Sequence, residues 1–510
     1  MPADIGSHAE RHGRAARWGG PSPAVVLPWP ALAVAGAMVA VLLAVSGAYG
    51  FHGDEMYYVV AGQHPAFGYV DQPPLTPLLS AASVAVLGVS PTSVRVLPAL
   101  EMALVVILVV LMARDLGGSR RAQVLASITA AVSGYLGAGH LDTTTDPDLL
   151  AWAIVLWLVV RLLAGGDRRL WLAVGLVAGV GLENKDTLLF LGAGLAVGLL
   201  VARRWDVIGS PCAWAAIGIA LLIWAPNIAW EATNGWPQLA MARAISAYAA
   251  DNRAQVVPLL WLFTGPLLFP VSAAGLAWLL VSRSAAAWRP IGIAAVVALG
   301  LAIATGGKAY YAIGTASVCM GAGAILVDRW LAAGHARVKS AAFAVATVLS
   351  AALIALLTLP ILPLATYAHT SLPAEVPDTA NQVGWPQFVA TVEGAVAALP
   401  ADERAKAVIL TNDYSEASPL ILMGHGLPPV YSGHNAYWDW GPPPADRTVV
   451  VHVGDWRPAD YGAYFIGCHT VATIDNGLGI QNAEQGAPVA VCTGLREPWS
   501  AMWPALRTIS

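Results

Sequence analysis

Asp54 and Glu55 stand side by side in FHGDEMYYVVAGQHPAFGYVDQPPLTPLL. Adjacent carboxylates supply a general base or a clamp for sugar hydroxyls. Tyr57 and Tyr58 follow at once, and Asp71 lies further along the same stretch. A second acidic group, Asp142, Asp146 and Asp148, occupies GHLDTTTDPDLLAWA. Asp146-Pro147 reads as a helix start, with Asp at the cap and Pro at the first position. Capping explains one carboxylate of the three; the set can bind a cation, orient a sugar or hold a basic partner. Lysine occurs only at 185, 308, 339 and 406. Lys185 sits in GLENKDTLLF and Lys308 in GGKAYYAIG, where Tyr310 and Tyr311 follow. A lone ammonium is a point-charge partner for phosphate. Each feature also has a plain structural reading. Asp54 and Glu55 can cap a helix over 56–62, the lysines can snorkel to an interface, the tyrosines can belong to an aromatic belt, and Arg95 can pair with Glu101.

The elements that must hold these residues are apolar. The chain has 510 residues, 57% hydrophobic and 11% charged. A soluble chain is typically about 25% charged, so lipid must cover much of this one. A net charge of -4 argues against nucleic-acid binding. A membrane span takes about 20 apolar residues. Candidate spans fall at 28–49, 92–113, 121–137, 149–164, 170–182, 187–202, 212–230, 257–282, 289–306, 309–327 and 340–361. The pair at 170–182 and 187–202 is short and reads as two spans or one hairpin of thin helices. With the 1–27 tail and its Arg11, Arg14 and Arg17 inside, Arg114, Arg120, Arg121, Arg161, Arg168, Arg169, Arg203, Arg204, Arg283, Arg289, Arg329, Arg337 and Lys339 are inside too. The outside loops between spans hold only Arg95, Lys185, Arg243, Arg253 and Lys308. That bias sets the orientation and puts the 51–91 loop, with its Leu75–Leu87 stretch lying on the membrane, on the outer face. The first apolar run also has the outline of a signal peptide, which leaves 51–91 outside as well.

After about residue 365 the chain turns more polar. Short runs at 407–411, 448–453 and 464–466, with a helix expected over 415–423, read as a small α/β domain placed outside by parity. Cys468 and Cys492 lie there, where a disulfide is permitted and bridged or free thiols both remain open. Cys212 and Cys319 fall in spans and read as packing residues. The domains are therefore a 1–27 cytoplasmic tail, a 28–364 membrane domain and a 365–510 extracytoplasmic domain.

Acidic groups and two lysines thus gather on one face of the membrane, which suits transfer of a group from a lipid-linked phosphate donor. The order of the motifs strengthens that reading. D-E-x-Y-Y and G-Y-x-D-x-P-P-L at 54–75, D-x-x-x-D-P at 142–147, N-K at 184–185, P-N-x-x-W at 226–230, K-x-Y-Y at 308–311, N-D-Y-S-E-A at 412–417 and S-G-H-N-x-Y-W-x-W-G at 432–441 occur in sequence. This set resembles the integral-membrane GT-C glycosyltransferases of the protein O-mannosyltransferase and aminoarabinose lipid A transferase superfamily, family 39-like branch. The resemblance implies an α-helical polytopic membrane protein of GT-C type, about 11 transmembrane helices, with a small C-terminal extracytoplasmic α/β domain. It implies an inverting glycosyltransferase at the plasma membrane, working in the cell envelope with a polyprenyl-monophosphate sugar donor and a protein, glycolipid or glycan acceptor. Asp54 would be the base or orient the acceptor, Glu55 would support it, and Asp146 or Asp142 would be the second-loop acid. Lys185 and Lys308 would stabilise the leaving phosphate, with Tyr57, Tyr58, Asp71, Tyr310 and Tyr311 lining the substrate. Relatives differ in their use of a divalent cation, and no His-rich ligand set appears, so the metal is left open. The rivals are a transporter or flippase for lipid-linked sugars, and an arabinofuranosyl or polysaccharide-modifying transferase. A transporter needs polar groups at the membrane midplane, whereas here they stand at the outer span ends.

Overall fold

The computed structural model of the protein describes residues 27–456 and 458–510. The tail with Arg11, Arg14 and Arg17, from which the orientation was argued, lies outside those residues. The first helices are α1 (Trp29–Val45), α2 (Gly53–Gln63), α3 (Leu75–Leu87), α4 (Pro91–Asp115), α5 (Arg120–Ala131), α6 (Tyr135–Ala138), α7 (Thr145–Leu163), α8 (Leu170–Leu182) and α9 (Leu188–Val201). Helix α4 is apolar on every face, and a helix of that kind is buried. It lies at the centre of the bundle against α1, α5, α7 and the Ala316–Ala332 helix. The Ala336–Thr358 helix is equally apolar but mostly exposed, as suits a lipid-facing position.

The span pattern is met in outline and altered in detail. Pro91–Asp115, Pro211–Thr233, Arg283–Thr305 and Ala336–Thr358 are long and apolar enough to cross a membrane. Trp29–Val45, Leu75–Leu87, Leu170–Leu182, Leu188–Val201 and Phe269–Val281 are apolar but shorter. The expected 257–282 span is two helices, Ala249–Phe263 and Phe269–Val281. They part at Gly265, which has φ +86, and Pro266, which cannot continue a helix. The expected 309–327 span becomes helical only at Ala316, and the 121–137 span ends at Ala131. Eleven uninterrupted helices therefore do not describe the bundle.

The thin pair does not close on itself as a hairpin. Helix α8 lies along Pro211–Thr233, and α9 along Arg289–Thr305. Gly175 of α8 meets Ala216, and Gly194 and Gly198 of α9 meet Ala294 and Pro290, so close that a Cβ would collide with backbone, while Gly179 of α8 packs tightly on Ile223 and Ala220. Glycines four residues apart let helix backbones touch, which matters in lipid because no hydrophobic force drives helices together there. The inside arginines share one end of the bundle: Arg114 and Arg161 flank Asp115, and Arg121 pairs with Asp328.

The C-terminal part is a five-stranded sheet in the order β2-β1-β3-β5-β4. Its strands are β1 (Ala407–Thr411), β2 (Val430–Ser432), β3 (Val449–Val453), β4 (Phe465–Thr473) and β5 (Pro488–Leu495). β1 runs parallel to β2 and β3, while β5 is antiparallel to β3 and to β4. β1 and β3 are apolar without alternation because both their faces are buried. The Trp385–Ala397 helix supplies one cover, and Trp499, Met502 and Trp503 the other. Cys468 and Cys492 are cross-strand neighbours and form a disulfide.

One buried ion pair ties the two parts together. Arg95, 1% exposed, donates from Nε and Nη2 to the Glu55 carboxylate, 0% exposed, both at 2.7 Å. Its other N–H groups donate to the Ser46 carbonyl at 2.5 Å, the Gly50 carbonyl at 2.7 Å and Gln382 Oε1 at 3.3 Å. Glu55 also accepts from the backbone N–H of His52 at 2.7 Å and of Asp142 at 3.1 Å. Arg95 thus pairs with Glu55, not with Glu101, because α2 folds back over the start of α4. Breaking a buried pair on one side strands a charge and costs about 3–5 kcal/mol. Arg95→Met is expected to lower the unfolding midpoint in detergent steeply. The double change with Glu55→Gln should recover part of that loss, and equal melting of single and double variants would contradict this role.

Candidate active site

Helix α2 begins three residues earlier than the sequence suggests. His52 caps it, accepting the Asp54 backbone N–H on Nδ1 at 3.2 Å, and Glu55 closes the capping box through the His52 N–H. Glu55 is consumed by this cap and by Arg95. Expected to support Asp54, it is fully buried. Asp54, one residue earlier, remains partly open with about a third of its side chain exposed.

The residues around Asp54 come from both parts of the chain. The Tyr414 hydroxyl donates to Asp54 Oδ1 at 2.9 Å. Tyr57 stacks on Tyr414 with ring centroids 4.4 Å apart and donates its hydroxyl to Asp71 Oδ1 at 2.8 Å. Burial pushes Asp71 up to about 6, with the Tyr57 hydrogen bond and the Lys308 charge pulling the other way. Tyr58 is buried beside Asp54, Tyr414, Asp71 and Tyr310. The charge of Asp54, and then burial, hold the Tyr414 hydroxyl well above its ordinary range.

Lys185 marks the other side. Its Nζ lies 4.8 Å from the centre of the Tyr310 ring and 5.6 Å from that of Tyr311, and reaches Thr145 Oγ1 at 3.4 Å. Burial lowers it to about 8 against the pull of Asp148 and Asp146, and the Lys308 charge lowers it further. Lys308 is itself exposed. Tyr310 lies between the two sides, feeling both Asp54 and Asp148. Its ring also lines an apolar cavity of about 270 Å³ with Thr143, Thr145, Leu259, Leu262, Phe263, Leu357 and Asp378.

The second-loop acids divide differently from the expectation. Asp146 is 0% exposed, and its Oδ2 accepts from the Thr143 N–H at 2.8 Å and hydroxyl at 3.1 Å. Asp142 is buried and accepts from the Ser80 hydroxyl at 2.5 Å. Both fold inward because their turn is tied down from below by Glu55. Asp148 is the acid turned towards Lys185, and it accepts from Thr187 at 2.7 Å and Trp152 at 3.1 Å. Asn184 anchors the same turn, accepting from Thr76 at 2.5 Å and donating to the Thr144 carbonyl at 2.7 Å. Tyr414 escaped the sequence reading. D-Y-S-E shows a capping box, but nothing in it says that the tyrosine meets a carboxylate 360 residues away. Among the described residues, no three His, Cys, Asp or Glu side chains gather as a metal site.

Residues 71–230 match the family model for dolichyl-phosphate-mannose-protein mannosyltransferase. The whole chain is similar in fold to ArnT from Cupriavidus metallidurans bound to undecaprenyl phosphate, at TM-score 0.59 and 15% identity, covering 90% of this chain and 97% of that one. The apo state of the same protein gives 0.56 and 14%, covering 90% and 96%. Arabinofuranosyltransferase AftD from Mycobacteria gives 0.53 and 15%, covering 92% of this chain and 40% of that one. No curated protein matches the sequence significantly. The family model matches about a third of the chain, and over about nine-tenths of its length the chain shares its fold with ArnT and with AftD.

The two parts meet tightly at Gly53, where an added Cβ would stand 2.7 Å from Ser415 Cβ. Gly53→Val is expected to pry the C-terminal domain from α2. Amide hydrogen exchange should then rise over 412–422 and stay unchanged in α4; unchanged exchange over 412–422 would refute a tight contact.

Proposed function

We propose that this protein is an inverting glycosyltransferase that moves a sugar from a polyprenyl monophosphate to an acceptor hydroxyl, at the outer face of the plasma membrane. The observation that carries the reading is that Asp54 and Lys185 both lie within electrostatic reach of Tyr310, whose ring centre is 4.8 Å from the Lys185 ammonium. Inversion needs a base on one face of the anomeric carbon and a stabilised leaving group on the other. The acceptor oxygen attacks the anomeric carbon, its proton passes to Asp54, and the carbon–oxygen bond to phosphate breaks. The electron pair leaves on the phosphate, which Lys185 and Lys308 neutralise. Tyr311 and Asp148 hold Lys185 in place, Tyr57 and Asp71 fix the near wall, and Asp142 and Asp146 support the turn from beneath. The apolar cavity under Tyr310 suits the first isoprene units of a polyprenyl chain, and the similarly folded ArnT is described with undecaprenyl phosphate bound. The acceptor class, whether protein, glycolipid or glycan, and the sugar are left to experiment.

The test is release of polyprenyl phosphate from a panel of radiolabelled undecaprenyl-phosphate hexoses and pentoses, in liposomes. Wild type should consume at least one donor, and Asp54→Asn should slow that turnover by a hundredfold or more, within the range of general-base losses of about 10²–10⁴. A folded Asp54→Asn enzyme at full rate would remove Asp54 from the mechanism, and consumption of no donor would remove the transferase reading.

Lys185 sets a second expectation. Its ammonium is lowered to about 8, so the cation is present below that pH and is lost as pH rises through it. Donor cleavage should therefore fall above about pH 8. Lys185→Arg keeps its charge at all working pH values, so whatever rate it retains should show no such basic limb. A limb unchanged in Lys185→Arg would assign it to another group.

A further inference from the structure

The C-terminal domain does more than cover the site. Tyr414 is the first residue of the Tyr414–Leu422 helix, and a capping box fixes its position. Asp413 Oδ1 accepts from the N–H of Ser415 at 2.6 Å and of Glu416 at 3.2 Å, while Glu416 Oε2 accepts from the N–H of Asn412 at 2.7 Å and of Asp413 at 3.0 Å. The ring is held on both faces, by Tyr57 at 4.4 Å and by His434 at 4.9 Å. A side chain so confined aims its hydroxyl at one place, Asp54 Oδ1, at 2.9 Å. The other oxygen, Oδ2, stands 3.9 Å from His52 Nδ1 and accepts no hydrogen bond among the described residues.

We infer that Tyr414, delivered by the C-terminal domain, is a positioning residue for Asp54: its hydroxyl anchors Oδ1 and leaves Oδ2 free to take the acceptor proton. This rests on the reading of Asp54 as base. A hydrogen bond to a carboxylate favours its ionised form. The other titratable groups that face Asp54 are His52 and Tyr58 from its own helix, Asp71 from the first loop and Tyr310 from the turn across the site. Loss of the Tyr414 hydroxyl leaves all of these unchanged, so a shift in Asp54 titration reports the one bond.

The experiment is Tyr414→Phe, which keeps the stacked ring and removes only the hydroxyl. The infrared carboxylate band that disappears in Asp54→Asn reports Asp54 titration directly and needs no substrate. In Tyr414→Phe its midpoint should rise by roughly 0.5–1 pH unit, in keeping with a charge-assisted hydrogen bond. With the active donor from the panel, kcat should fall about tenfold at neutral pH, KM for the donor should hold, and the acid limb of kcat should move up with the infrared midpoint. A purely structural role would lower the melting temperature and leave both midpoints in place, and that result would overturn the inference. Full activity of Asp54→Asn would instead sink the base assignment, while the infrared shift would still decide whether Tyr414 holds the carboxylate.

Discussion

The bidentate pair of Arg95 and Glu55 is the constraint from which the site follows. It is buried beyond the reach of water, so each charge is tolerable only with the other in place. Its hydrogen bonds reach the end of α1, the start of α2, the 142–146 turn and the segment that leads into the sheet domain. None of these segments can move without leaving a buried polar group unmet. The acid next to Glu55 in the chain is therefore presented at a fixed height above the bundle. The adjacent carboxylates Glu55 and Asp54 divide the work: Glu55 is spent on architecture so that its neighbour can remain available.

That division explains which parts of the structure were legible. Spans, their order and the two buried strands β1 and β3 could be read because apolar runs and turn residues are local signals, whereas β2 and β5 were not read and β4 was read only at its start. The breaks at Gly265-Pro266 and before Ala316 were harder, since long apolar stretches mask a short interruption. The glycines of α8 and α9 looked merely dispersed, yet their four-residue spacing is what sets those helices against their neighbours. For the candidate site, Asp54, Lys185, Tyr310 and Tyr311 were singled out by type and position. Glu55, Asp142 and Asp146 were identified as site acids, but their hydrogen-bond partners turn them inward. A sequence gives a carboxylate without giving its donors, so a supporting acid and a reacting acid read alike. Tyr414 was missed for a related reason: its importance lies wholly in a contact between distant segments.

The site is thus a composite. The first loop supplies Asp54, Tyr57 and Asp71, the turn after α8 supplies Lys185, and the segment before Ala316 supplies Lys308, Tyr310 and Tyr311. The sheet domain closes the near wall with Tyr414. Aromatic rings fill the space between charges, which lowers the local dielectric and lengthens the reach of each charge. Stacked rings also resist rearrangement, so the acidic side keeps its geometry whether or not a ligand is bound. The basic side is different in kind. Lys308 is exposed and Lys185 rests on ring faces by cation–π attraction, an arrangement that an incoming anion can compete with.

The brevity of α8 has a consequence for the lipid around it. Thirteen residues rise only about 20 Å, against a hydrocarbon core of about 30 Å. The bilayer must pinch beside this helix, or the turn carrying Lys185 must sit below the headgroups. In both cases the hydrophobic mismatch draws a dimple in the leaflet at that point. A phosphate tethered to a long flexible tail can sink into such a dimple more readily than a headgroup packed among rigid neighbours, so membrane thickness bears on which lipids reach this helix.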